Sequence, residues 1–223
     1  AKTYTINQDD CATGLLKGAY TSLPRRRFDR SRHCLIPYPT FPNPLIAATD
    51  PQSLGPPTHL ASWRGNPISC PRLRKALLSR FQSHPAFLIE SSQSWLNHGD
   101  SEISRYVEVL AAGLFSLCPR GWSPMTYRLY ESLAFGRVPV ILAEGIVLPA
   151  GLDWPAISLQ VPEHNIRHLP RILEAHRATA GEMGQHGRQA WLRHFSPAAL
   201  RIGIAQSVGA LIARGNHSTV DPA

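Results

Sequence analysis

From His59 onward the chain alternates short apolar runs with amphipathic stretches, and this alternation restricts the fold more than any other feature. HLASW (59–63), AFLIE (86–90), LFSLC (114–118), VPVIL (138–142) and AISLQV (156–161) have strand length. Between them, RLRKALLSRF (72–81), SEISRYVEVLAAG (101–113) and residues 124–135 carry apolar positions at helical spacing. The runs are apolar nearly throughout instead of at every second position, which is the pattern of strands buried on both faces. Strands of that kind separated by helices predict an α/β fold, a doubly wound parallel (Rossmann-like) sheet. Three further helices are expected at 165–177, 181–195 and 196–215, the last packing back along the sheet.

Upstream the pattern is different. Leu35 to Pro57 is broken by prolines, which lack a donor and restrict the residue before them, so it reads as an extended connector around a short strand at His33–Pro37. The expected organisation is therefore a Pro-rich segment and connector at 1–57, a sheet domain at 58–214 and a disordered tail at 215–223. No apolar stretch approaches the ~20 residues that cross a bilayer, and AKTYTINQDD has no signal-peptide core. Compartment is not legible: cytoplasmic or peripheral to a membrane in a bacterial protein, Golgi lumen in a eukaryotic fragment. Cys11, Cys34, Cys70 and Cys118 lack metal-ligand spacing and read as free thiols.

The formal charge of +8 admits anionic partners, among them nucleic acid, a membrane surface or a phosphorylated ligand. Of the 23 basic residues only Lys2, Lys17 and Lys75 are lysines. A single run, RRRFDRSR at 25–32, is dense. It reads as a solvated loop, with a peripheral membrane or acidic-polymer contact through Arg25–Arg32 as the functional alternative.

The chemistry concentrates in CPRGWSPMTYRLYESLAFGRVPVILAE, residues 118–144. Ligands of open parallel sheets bind beyond the carboxyl ends of the strands, and Arg120 and Gly121 follow a strand end directly. Ser123 is a natural N-cap and Pro124 a natural first helical residue, which predicts a helix from 124 whose N-terminus faces a phosphate. Arg120 and Arg128 suit a diphosphate, Glu131 the hydroxyls of a ribose. Spacing alone equally allows a plain Arg128–Glu131 salt bridge with Arg120 idle in a loop. Trp122 is the best stacking candidate among Trp63, Trp95, Trp122, Trp154 and Tyr127. Glu144, at the end of a strand, could reach a donor sugar or an acceptor. His164, His168 and His176 have no companion cluster and read as exposed helix histidines.

The block LFSLCPRGWSPMTYRLYESLAFGRVPVILAEGIVLPAGLDW resembles the signature segment of the exostosin-like glycosyltransferases. The matching positions are Cys118, Pro119, Arg120, Gly121, Thr126, Arg128, Glu131, Gly136, Pro139, Val140, Leu148, Pro149, Asp153 and Trp154. Tyr106 and the upstream SWRGNP with the arginines after it fit as well. The likeness covers roughly 33–195; Ala150 and Glu144 depart from it, and the family's N-terminal half is absent or reduced to residues 1–57. The resemblance implies the C-terminal, donor-binding half of a GT-B inverting glycosyltransferase. That enzyme would transfer a sugar from a nucleotide diphosphate, a UDP-sugar, to a glycan acceptor. It places Arg64, Arg120, Gly121, Trp122, Ser123, Thr126, Arg128 and Glu131 at the donor. No cofactor or metal is expected, in keeping with the lack of an Asp-x-Asp pair. The catalytic base stays unassigned, with Glu144 as the candidate. The alternatives are a non-catalytic nucleotide-sugar or glycan-binding module and, ranked last, a basic nucleic-acid-binding domain; nucleic acid is not the expected partner.

Overall fold

The computed structural model describes residues 3–39, 43–92 and 99–217. Its main body is a five-stranded, wholly parallel sheet of β4 (His59–Gly65), β5 (Phe87–Ser91), β6 (Gly113–Pro119), β7 (Val138–Leu142) and β8 (Leu159–Gln160), ordered β5-β4-β6-β7-β8. A smaller parallel sheet, β1 (Thr5–Asn7), β2 (Gly18–Tyr20) and β3 (His33–Leu35), precedes it.

Helices cover both faces of the main sheet. On one face α2 (Pro71–Phe81) and α6 (Leu169–Ala175) bring Leu73, Leu77, Leu169 and Leu173 against Phe115, Leu117, Val138 and Val140. On the other, α1 (Leu45–Ala48), α3 (Asp100–Ala112), α4 (Tyr127–Ala134), α5 (Trp154–Ile157) and α7 (Ala180–His194) pack around Leu110, Leu129, Tyr130, Leu133 and Ile141. β7 is buried at all five positions. Its Pro139 is tolerated because β8 pairs only with Val140 and Ile141, so at Pro139 the strand has β6 as its one neighbour. The doubly wound expectation holds, with a strand order that puts the switch point between β4 and β6.

Four expectations need correction. The strand expected at 156–161 is cut to Leu159–Gln160, because the short helix α5, with Pro155 in its first turn, takes residues 156 and 157. The connector 35–57 does hold helical turns, α1 and a 3₁₀ turn at Pro51–Leu54. The last helix, α8 (Pro197–His217), packs on β2, β3 and α7 instead of lying along the main sheet. It also continues past Arg214; the rest of the expected tail, 218–223, lies outside the described residues.

The fourth concerns α4. It starts at Tyr127 with Thr126 as its cap, not at Pro124 with Ser123. Tertiary partners take the groups that an earlier start would use: Ser123 Oγ donates to Asp10 Oδ1 at 2.9 Å, and Met125 N donates to Ser22 Oγ at 3.2 Å. Both partners come from the N-terminal segment.

Candidate functional site

β4 and β6 are adjacent, yet the helices α2 and α4, which follow them, lie on opposite faces, and the carboxyl ends of the two strands therefore open a crevice. Arg74 of α2 bridges it. Its guanidinium donates to Asn66 O (2.8 Å) beyond β4, and to Pro119 O (3.2 Å) and Arg120 O (3.0 Å) at the end of β6. Arg128, 7% exposed, donates through Nη2 to Arg64 O and lies over the Tyr106 ring at 4.6 Å. Its Nη1 is buried without a hydrogen-bond partner. Burial, reinforced by the charge of Arg128, lowers the Arg74 pKa to about 10.

Above the strand ends is a cavity of about 1170 Å³ between the main sheet and the N-terminal segment. Arg120, Trp122, Glu144, Glu163 and His164 line it from the sheet side, Asp10 and Arg25–Arg27 from the other. The two sides are tied by Arg25 N donating to Gly145 O at 2.7 Å. Arg120 Nε donates to Glu163 Oε1 at 2.6 Å, and this contact raises the arginine's pKa. Glu144 Oε1 meets His164 Nδ1 at 3.2 Å.

The structure distributes the residues singled out in the sequence as follows. Arg120, Trp122 (49% exposed) and Glu144 face the cavity. Gly121 lies beside the Arg74 bridge. Ser123 binds the N-terminal segment, so its capping assignment is withdrawn, and Thr126 accepts from Arg128 N as the true cap. That bond and Leu129 N to Thr126 O close the first turn of α4 on itself, which leaves anion binding to side chains. The Arg64 side chain, 11% exposed, is held by Glu90 and Glu102, both at 2.7 Å. Glu131 is 2% exposed and accepts from the Tyr106 hydroxyl; burial raises its pKa, while that hydrogen bond and the charge of Arg128 oppose the rise. Among the described residues it makes no direct ion pair with Arg128. Trp95 falls outside the described residues.

Sequence reasoning counted the arginines after SWRGNP toward the resemblance but did not place Arg74 at the site, because it looks like any polar position on an amphipathic helix; Arg25–Arg27 are exposed, as a solvated loop has them, and they also border the cavity. That run forms a 3₁₀ turn on the cavity wall, a placement that only the small sheet determines. Among the described residues no group of three or more His, Cys, Asp or Glu could hold a metal ion, and all four cysteines are free thiols.

The exostosin GT47 domain matches residues 6–176. The chain belongs to the exostosin GT47 family. The match starts within β1, so the family's sequence pattern takes in the small sheet as well as the main one; α7 and α8 lie beyond it. Relatives from Arabidopsis thaliana include two probable glucuronoxylan glucuronosyltransferases. One of these two is 36% identical over 109 residues, 48% of this chain and 21% of its own length. The other, IRX7, is 49% identical over 76 residues, 33% and 17%. The probable beta-1,4-xylosyltransferase IRX10 is 34% identical over 102 residues, 45% and 23%. The chain thus matches about a fifth of the length of each of these relatives.

Proposed function

We propose that the cavity above the strand ends binds a nucleotide-diphosphate sugar, a UDP-sugar, for transfer to a hydroxyl of a glycan with inversion at the anomeric carbon. The observation that carries this reading is the gathering of arginine charge where a doubly wound sheet binds ligands. Arg120 faces the cavity, and Arg74 and Arg128 lie at the crevice with no carboxylate within ion-pair distance among the described residues. The names of the relatives, glucuronosyl- and xylosyltransferases, agree with a sugar donor of this class.

In this reading Arg120 leaves Glu163 to meet the diphosphate, Trp122 stacks on the base, and Arg128 supplies a fixed positive charge from below. A leaving diphosphate is stabilised by such preorganised cations, so its charge is met without calling on a metal. Glu131 orients Arg128 through Tyr106; contact with ribose requires Tyr106 to give up its hydrogen bond first. Glu144 and the backbone beyond β7 face the sugar end. Glu144 is also the candidate group on this chain for accepting a proton from the acceptor.

Calorimetry with UDP tests the site. Arg120→Ala and Arg128→Ala should each weaken binding by about 2–3 kcal/mol, the scale of charge-assisted hydrogen bonds in a partly buried site. Unchanged affinity in both variants, or binding abolished by EDTA, would count against this reading.

A further inference from the structure

Arg74 is the residue whose arrangement the fold alone does not explain. A guanidinium that merely packed on its helix would point along the surface, whereas this one crosses the crevice and fastens three carbonyls on two different strand ends. It stands 5.9 Å above the Trp63 ring, which fixes it from the other side. Among the described residues neither it nor Arg128 has a carboxylate within 4 Å. Two guanidinium charges so placed are costly unless a counter-charge joins them.

Beside Arg74 lies a glycine whose bare face turns toward it. A Cβ placed on Gly121 would have Arg74 Nη2 and Ser69 Oγ each at 3.5 Å, ordinary contact distance. The bare face of Gly121, an arginine nitrogen and a hydroxyl therefore enclose a small cradle with donors on two sides. The same bridge shapes the Pro119–Gly121 turn from which Arg120 projects into the cavity. Arg74 thus adds to the charge that Arg128 brings to the crevice and holds the turn that carries the arginine above it.

We propose that Arg74 is a positioning residue of the donor site, holding the Pro119–Gly121 turn and, with Arg128, making the crevice selective for the diphosphate of a nucleoside diphosphate over its nucleoside. This rests on the donor reading given above. Arg74 acts through the backbone turn and through the field in the Gly121 cradle, and the base and sugar bind elsewhere in the cavity. Its removal therefore affects phosphate recognition selectively.

The test is calorimetry of the full chain with UDP, uridine and inorganic pyrophosphate as probes. Arg74→Lys keeps the charge and loses the fork; Arg74→Gln loses both. Each should weaken UDP and pyrophosphate at least tenfold while uridine stays within about twofold. Gly121→Ala fills the cradle without touching the Arg74 bonds and has no backbone penalty, since Gly121 is not among the positive-φ glycines. It should reproduce the loss even if an Arg74 variant folds poorly. A chain that binds UDP while all three variants bind it equally well retains the donor reading and overturns the role of Arg74. Equal losses for UDP and uridine make Arg74 a purely structural clamp, which also overturns it. If the unaltered chain binds neither UDP nor pyrophosphate, the donor reading itself fails and takes this inference with it.

Discussion

Glu131 is a carboxylate with almost no access to water, and its behaviour follows from its two neighbours. The Tyr106 hydroxyl donates to it and the Tyr106 ring carries Arg128, so the three side chains form one buried unit under the crevice. Tyr106→Phe removes the donor and leaves the carboxylate buried without it, a loss of about 1–3 kcal/mol in urea-unfolding stability. Burial holds the Glu131 pKa in the folded chain above its unfolded value. The folded state then keeps the proton to higher pH, so the stabilisation from this group is full below the unfolded pKa and lost as pH rises through the folded one. Glu131→Gln has no such titration. The stability of the unaltered chain relative to Glu131→Gln should therefore fall as pH rises above the ordinary glutamate value of about 4.3, measured as paired urea midpoints. A flat difference would mean that Tyr106 and Arg128 fully offset the burial.

At the scale of elements, α4 shows how tertiary contacts override local preference. Ser123 and Pro124 are good helix starters, but Asp10 and Ser22 bind the stretch ahead of Thr126, which bends at 122–124 instead of entering the helix. The cap bond from Arg128 N to Thr126 Oγ1 is long, 3.4 Å, so Thr126→Ala should cost only about 0.5–1 kcal/mol. The contact of α4 with α7 is far less forgiving. A Cβ on Gly184 would stand 2.2 Å from Gly136 O, a backbone atom at the end of α4 that is itself held at φ 62°. Gly184→Ala must separate the two helices and should destabilise by about 2–3 kcal/mol, with a matching drop in melting temperature. A small effect there would show that the α4–α7 contact yields.

The molecule as a whole is two sheets joined by a few specific bonds, with the cavity between them. α8 covers the smaller sheet and touches the main body through α7: it packs on β2, β3 and α7, its Leu200 and Leu211 are buried, and Arg214 sits close enough to Cys34 to act on it by charge. Truncation after Ser196 should therefore loosen β1–β3 and leave β4–β7 intact. Amide exchange should quicken at Ala19 and Cys34 and stay slow at Leu117 and Val140; uniform loss of protection would contradict this division. Because the ligand is expected to bridge the two parts, UDP at a hundredfold excess over its Kd should add about 2.7 kcal/mol of stability. For a chain of this size that is a rise of roughly 5–10 °C in melting temperature.

Much of this was readable from residue order. Continuous apolar runs such as VPVIL fit only strands covered on both faces, and the helical spacing between them fixed their parallel sense, because neighbouring parallel strands require a crossover. The Cys118–Glu131 segment pointed to a strand end with arginines for the same local reason. What residue order could not show depends on contacts distant in sequence. β1 and β2 have three residues each, too few for any periodicity; β1 is held by pairing with β2, and β2 by pairing with β3 and packing under α8. Arg25–Arg27 became cavity wall through the bond between Arg25 and Gly145, which lie far apart in the chain. Arg74 found its carbonyls only when β4 and β6 came side by side. Periodicity reports which face of an element is covered; only the assembled fold decides which covered or bordering side chain meets which backbone, and in this protein that meeting makes the site.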